Sequence, residues 1–146
     1  EFLKKKRIEK LIEQHDEELI SRGEWTHHIL PYPTAPPWYS NIPGTGTFFT
    51  NVNRILIGHG NDGVFKFRMD RTNHPTPLCT TCQGPQEIAN IDHLLNQCVK
   101  YTVERRKFKE ANGISSLYIQ DHIKANLNPD FLKKLNEFVE STSMNI

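Results

Sequence analysis

Cys79-Thr80-Thr81-Cys82 is followed by ten residues, then His93, four more residues and Cys98. Two cysteines three apart fit a tight turn whose backbone N–H groups point at the sulfurs, presenting both thiolates to one cation. His93 and Cys98 lie five apart, a helical turn and a bit, so both reach one point if the helix frays or ends near Cys98. Three soft thiolates and one imidazole make a closed tetrahedron that suits Zn2+ and leaves no position for water. A closed site means structure rather than catalysis, and such binding supplies ~10 kcal/mol or more of folding free energy. Inert buried thiols or a CxxC redox pair are the alternatives. The chain has three cysteines and all fall in this register, which favours the metal.

Other candidates carry less. His59, between Gly58 and Gly60, invites a catalytic role, but no carboxylate or nucleophile stands beside it in sequence. A structural turn with the ring hydrogen-bonded to backbone is the simpler reading. Trp25, Trp38 and Tyr39 have faces on which bases stack, although rings in proline-rich stretches more often fill grooves. Lys100, Arg105, Arg106, Lys107 and Lys109 form a basic run, ordinarily a solvated helix face. Its closeness to the cysteine segment makes it a candidate phosphate surface, with Trp25 as a companion nucleic-acid contact. Paired-aspartate polymerase residues, a GxxxxGK[ST] loop and a recognisable Ser/His/Asp set are absent, so no enzyme activity is expected of this segment alone.

The elements that must position these residues are mostly helical. Residues 1–22 read as a charged connecting helix from a missing upstream domain, ended by Gly23. Residues 23–46 form a wrap with five prolines between Pro31 and Pro43, expected to be extended and to exclude regular helix. Residues 47–140 form the helical domain that contains the cysteine site over 79–98, and 141–146 a polar tail. Within that domain, 47–57 predicts a helix capped by Thr47 or Thr50. Val64, Phe65, Phe67 and Met69 alternate like a strand or repeat as one more helical turn, with helix favoured. Residues 99–111 predict a basic helix stopped by Asn112-Gly113. Ser115 or Ser116 opens another helix to about Ala125, and Asn128-Pro129 caps the last. The fold class expected is mainly α: a small helical domain stapled by one structural zinc, with a Pro/aromatic-rich extended segment.

Composition bounds the rest. A chain of 146 residues with 24% charged side chains and net charge +1 fits one compact domain. Local basic patches permit nucleic acid, but bulk charge does not demand it. No apolar run approaches the ~20 residues of a membrane span. An odd cysteine count confined to one stretch points to an intracellular protein. A chain beginning with Glu1 reads as a piece of something longer.

Three stretches together resemble the C-terminal region of reverse transcriptase polyproteins from non-LTR retrotransposons of the R1, jockey and I type. These are Gly23-Glu24-Trp25-Thr26 with Leu30-Pro31; Leu56-Ile57-Gly58-His59-Gly60 followed by Val64-Phe65; and Cys79-x2-Cys82 with His93-Leu94-Leu95-Asn96-Gln97-Cys98 and Tyr101. The chain departs from the family at Ile57, where threonine is usual, and at Val99, where proline commonly follows. Its ten-residue gap before His93 is also long. None of these removes a ligand. The resemblance implies a CCHC zinc-binding accessory segment, downstream of a polymerase domain of the same polyprotein. It would hold template RNA or target DNA during target-primed reverse transcription, in the nucleus with a cytoplasmic phase. The alternative is a structural protein–protein docking module, domesticated or not, with no direct nucleic-acid contact.

Overall fold

The computed structural model describes residues 5–7, 9–10, 24–30, 37–82, 84 and 87–146. Residues 5–7 and 9–10 are helical and exposed. The rest of the expected 1–22 helix lies outside the described residues, as do Gly23, Pro31, Tyr32, Pro33 and Pro36.

Among the described residues the chain is mainly helical and contains no strand beyond one isolated bridge. From Glu24 onward the described residues form α1 (Glu24–Ile29), α2 (Gly46–Ile57), α3 (Gly63–Met69), α4 (Thr102–Ala111), α5 (Ile119–Ala125) and α6 (Pro129–Ser141). Between α3 and α4 lie a one-turn π-helix, His93–Gln97, and a 3-10 turn, Val99–Tyr101. No helix among the described residues is long and apolar enough to cross a membrane.

Local chemistry explains most boundaries. Thr45, rather than Thr47 or Thr50, caps α2, its hydroxyl accepting from the Phe48 N–H at 3.1 Å. Gly58 ends α2 at φ 64°, a left-handed conformation that a side chain resists. The stretch around Phe65 is helical because the buried Asp62 carboxylate accepts from the Phe65 N–H at 2.9 Å. Asn128 caps α6 in the same way, with Pro129 at its first position. Residues 115 and 116 stay outside α5, which starts at Ile119. Ser116 instead accepts from the Tyr118 N–H at 3.2 Å and closes a turn before the helix.

The core is made where α2 packs on α6 and α1 packs on both α5 and α2. Val52, Ile55 and Leu56 meet the face that carries Leu132, Leu135 and Val139, all essentially without exposure. Asn51 donates to Asn136 at 2.9 Å across that interface, and Phe108 stacks on Phe138 with centroids 4.7 Å apart.

The expectation that residues after Trp25 exclude regular helix is corrected by α1. Proline constrains the residue just before it, so Pro31 leaves one and a half turns free to form upstream. Trp25 is half-buried there, and its indole donates to the Ile55 carbonyl at 2.7 Å; Thr26 donates to the Ile57 carbonyl at 3.3 Å. Both add a donor to carbonyls in the last turn of α2, where the Ile55 carbonyl also accepts from the Gly58 N–H at 3.2 Å.

Candidate metal centre

The cysteine segment is a short hairpin. Leu78 and Ile88 form the antiparallel bridge, the Cys79 N–H donates to the Glu87 carbonyl at 2.7 Å, and the Ala89 N–H donates to the Pro77 carbonyl at 2.9 Å. The Gly63 N–H donates to the Ala89 carbonyl at 2.8 Å and docks the start of α3 against it.

His93 and Cys98 come from the π turn. On an α-helix, positions five apart sit ~140° round the axis from each other. Here the Cys98 N–H reaches the His93 carbonyl at 2.7 Å, an i→i+5 closure that widens the turn and brings both residues to one side. The Asn90 carboxamide holds the front of this turn, accepting from the His93 N–H at 2.8 Å. Asn96 holds its back, donating to Asp92 and Gln120 and accepting from the Ile119 N–H at 2.9 Å. The site is thereby tied to α5.

The four ligand atoms of Cys79, Cys82, His93 and Cys98 lie within 4.8 Å of one another. Cys79 Sγ is 3.7 Å and Cys82 Sγ 3.8 Å from Cys98 Sγ. A disulfide is excluded at that separation. A tetrahedral centre with Zn–S bonds of ~2.3 Å has S···S edges of ~3.8 Å, so the spacing is that of ligands sharing one ion. Cys79, His93 and Cys98 are buried. Glu87 Oε2 stands 2.9 Å from His93 Nδ1, yet both ring nitrogens are buried without a hydrogen-bonding partner among the described residues. Buried polar atoms of that kind normally have one. The chain therefore holds a Cys3His group able to bind one metal ion.

Backbone donors tune the sulfurs. Burial pushes the Cys79 thiol up, but N–H groups of Cys82 and Thr81, with His93 and Cys98, outweigh it and bring it down to about 7. The Cys98 thiol moves the other way: burial raises it, the Lys100 N–H opposes, and the neighbouring Cys79 and Cys82 add to the rise. Without a cation, the cluster thus favours one thiolate and resists another; a bound cation removes that conflict.

Arg105 is the main correction to the sequence reading. Expected on an exposed basic face, it is 8% exposed and points under the metal loop. Its Nε donates to the Leu95 carbonyl at 2.6 Å, and its Nη2 to the Cys98 carbonyl at 2.7 Å and the Leu94 carbonyl at 3.4 Å. Burial lowers its pKa, and the sulfurs of Cys98 and Cys82 pull it back up. The remaining basic residues do not form one patch. Lys109 donates to the Leu117 carbonyl at 2.9 Å and fastens the following loop. Arg106 is exposed, with Glu110 4.0 Å away. Lys107 is exposed, and Lys100 lies over the Tyr101 ring, 5.1 Å from its centroid. Trp25 is occupied within the helix packing. The exposed His59 sets its ring edge-on to Phe65 at 5.9 Å, while its backbone N–H donates to the Arg54 carbonyl.

One residue, Glu87, and one role, that of Arg105 beneath the loop, escaped the sequence. Glu87 beside His93 had no signal, since six positions without a regular period separate it, on the second arm of the hairpin, from His93 in the π turn. Arg105 had one: Tyr101, Arg105 and Phe108 recur at four and three, an inward stripe interrupted by a cation.

No family model matches the chain, and neither a curated protein nor a solved structure does.

Proposed function

We propose that Cys79, Cys82, His93 and Cys98 hold one structural zinc ion, and that the domain so stapled is a nucleic-acid-binding accessory segment. In this reading it serves a retrotransposon RNA-directed DNA polymerase, holding template RNA or target DNA. The observation that carries the metal assignment is the 3.7 and 3.8 Å sulfur spacing around Cys98, beside a buried imidazole that lacks a hydrogen-bonding partner among the described residues. Four protein ligands close the coordination shell, so the ion supplies folding energy and no reactive water. Charge supports this. A zinc ion with three thiolates and one neutral imidazole carries net −1, and Arg105 supplies a buried +1 whose hydrogen bonds among the described residues go to carbonyls. The nucleic-acid role is supported by the resemblance and by the exposure of Lys100, Arg106 and Lys107 in the segment that follows Cys98.

The test has two readouts on the intact chain. Elemental analysis after gentle purification is expected to give one zinc per chain. Fluorescence anisotropy with single-stranded RNA and DNA is expected to show affinity that falls steeply with salt. Absence of metal would remove the first part, and absence of binding at low salt the second.

A protein-docking role has its own observation. Val99 is 61% exposed and Val103, one turn on, 49%, an apolar pair just after Cys98. Retained zinc without nucleic-acid binding would favour that reading.

A further inference from the structure

With Arg105 buried and Lys109 tied down, the cations able to meet an anion lie elsewhere. A cavity of about 230 Å³ opens beside the cysteine loop, walled by α3, the 74–81 segment and the start of the 3-10 turn. Lys66, His74 and Lys100 are among its lining residues, as are Thr76, Thr80 and Thr81. Among the described residues no carboxylate lines it. Asp70, close to His74 in sequence, spends its carboxylate on the backbone and side chain of Asn73. The volume falls below the ~300 Å³ at which small-molecule pockets begin, so it suits a compact polyanionic group. Cys79 and Cys98 also line the cavity, so a zinc–thiolate centre of net −1 would stand in its wall and repel such a group, but Arg105 beneath the loop offsets that charge. The cavity's own cations are left to act on the ligand.

We infer that this cavity is a phosphate site, in which Lys66 and Lys100 act as point charges and the threonine hydroxyls as hydrogen-bond donors to the phosphoryl oxygens. The inference deepens the nucleic-acid reading and rests on it for one source of the phosphate, the diester backbone of a single strand. A free phosphate or phosphomonoester presents the same chemistry.

Two arms separate these sources. In the first, the zinc-loaded whole chain labelled with ¹⁵N is titrated with inorganic phosphate, against sodium chloride at equal ionic strength. Phosphate is expected to move the amides of Lys66, Thr80 and Thr81 selectively. In the second, anisotropy with a single-stranded oligonucleotide compares the wild type with a Lys66→Gln/Lys100→Gln double variant. A Lys124→Gln/Lys133→Gln variant removes the same charge from exposed positions outside the cavity. The cavity variant is expected to lose the phosphate response, bind roughly tenfold more weakly and show a salt slope smaller by ~1.4, two contacts' worth for a single strand. If the oligonucleotide binds both variants alike and phosphate moves no cavity amide, the phosphate site is overturned and the nucleic-acid reading stands. If phosphate moves those amides but no oligonucleotide binds, the site is upheld with a free phosphate as ligand and the nucleic-acid reading falls. If phosphate moves no cavity amide and no oligonucleotide binds, both are overturned.

Discussion

The Arg105 guanidinium reaches the Cys98 carbonyl at 2.7 Å and so grips the last residue of the Cys3His group from below. The neighbouring Arg106 faces outward, with side-chain exposure of 70%. Two adjacent arginines therefore have different jobs. Arg105→Ala leaves the Leu94, Leu95 and Cys98 carbonyls short of a donor and is expected to cost ~3 kcal/mol. Arg106→Ala is expected to stay within ~0.5 kcal/mol of the parent. Urea unfolding of the zinc-saturated variants checks both; equal midpoints would refute the distinction.

Glu87 stands 2.9 Å from His93 Nδ1. With an ion on Nε2 the Nδ1 atom carries the proton, and donating it to this nearby carboxylate would orient the imidazole and raise its basicity. Glu87→Gln is expected to weaken zinc affinity by roughly 10- to 100-fold, the range usual for loss of a partner to a metal-bound imidazole, while leaving stoichiometry at one ion. Competition against a chromogenic chelator measures it. An unchanged constant would leave Glu87 as a surface residue that happens to lie close.

Gly58 joins two requirements at one position. Its φ of 64° disfavours any side chain, and a Cβ there would come within 2.5 Å of the Trp25 ring. Gly58→Ala should cost ~1–3 kcal/mol and displace Trp25 from its hydrogen bond to Ile55. Thermal unfolding gives the first, and a shifted tryptophan fluorescence maximum the second.

The Asp121 carboxylate accepts from Ser116 at 2.5 Å and meets His28 at 2.6 Å, linking α5 to α1. The Ser116 hydroxyl first, and then His28, hold its pKa below the ordinary value. A lowered folded pKa contributes stability that is present above the unfolded value of ~3.9 and is lost as pH falls through the folded one. Solvent screens this exposed group, so the effect is under ~1 kcal/mol. Asp121→Asn should flatten the acid limb of the stability profile below about pH 4 and leave neutral-pH zinc content unchanged. A limb of undiminished slope would show that other carboxylates dominate it.

What the sequence made legible was the chemistry that spacing encodes. Cys79, Cys82, His93 and Cys98 announce themselves by type and interval, and they converge. Asn128-Pro129 gave away α6, because a cap and a proline act locally. Arg105 was misplaced because its charge reads as solvated until its depth below the loop is known, and depth is a tertiary property. The six residues of α1 were hidden by the prolines that follow them. Their helix is held by carbonyls at the end of α2, about thirty positions away, which no local rule can anticipate.

The five-residue closure from His93 to Cys98 has an effect beyond coordination. It works like a vernier on the chain, setting the angular phase with which everything after Cys98 leaves the loop. Each residue of an α-helix turns the chain by ~100°, so a shift of one position would exchange the fates of two neighbouring arginines. The one now swallowed would meet water, and its neighbour would be drawn beneath the loop. The interval that gathers the ligands thus also selects which side of the last third of the protein the outside world meets.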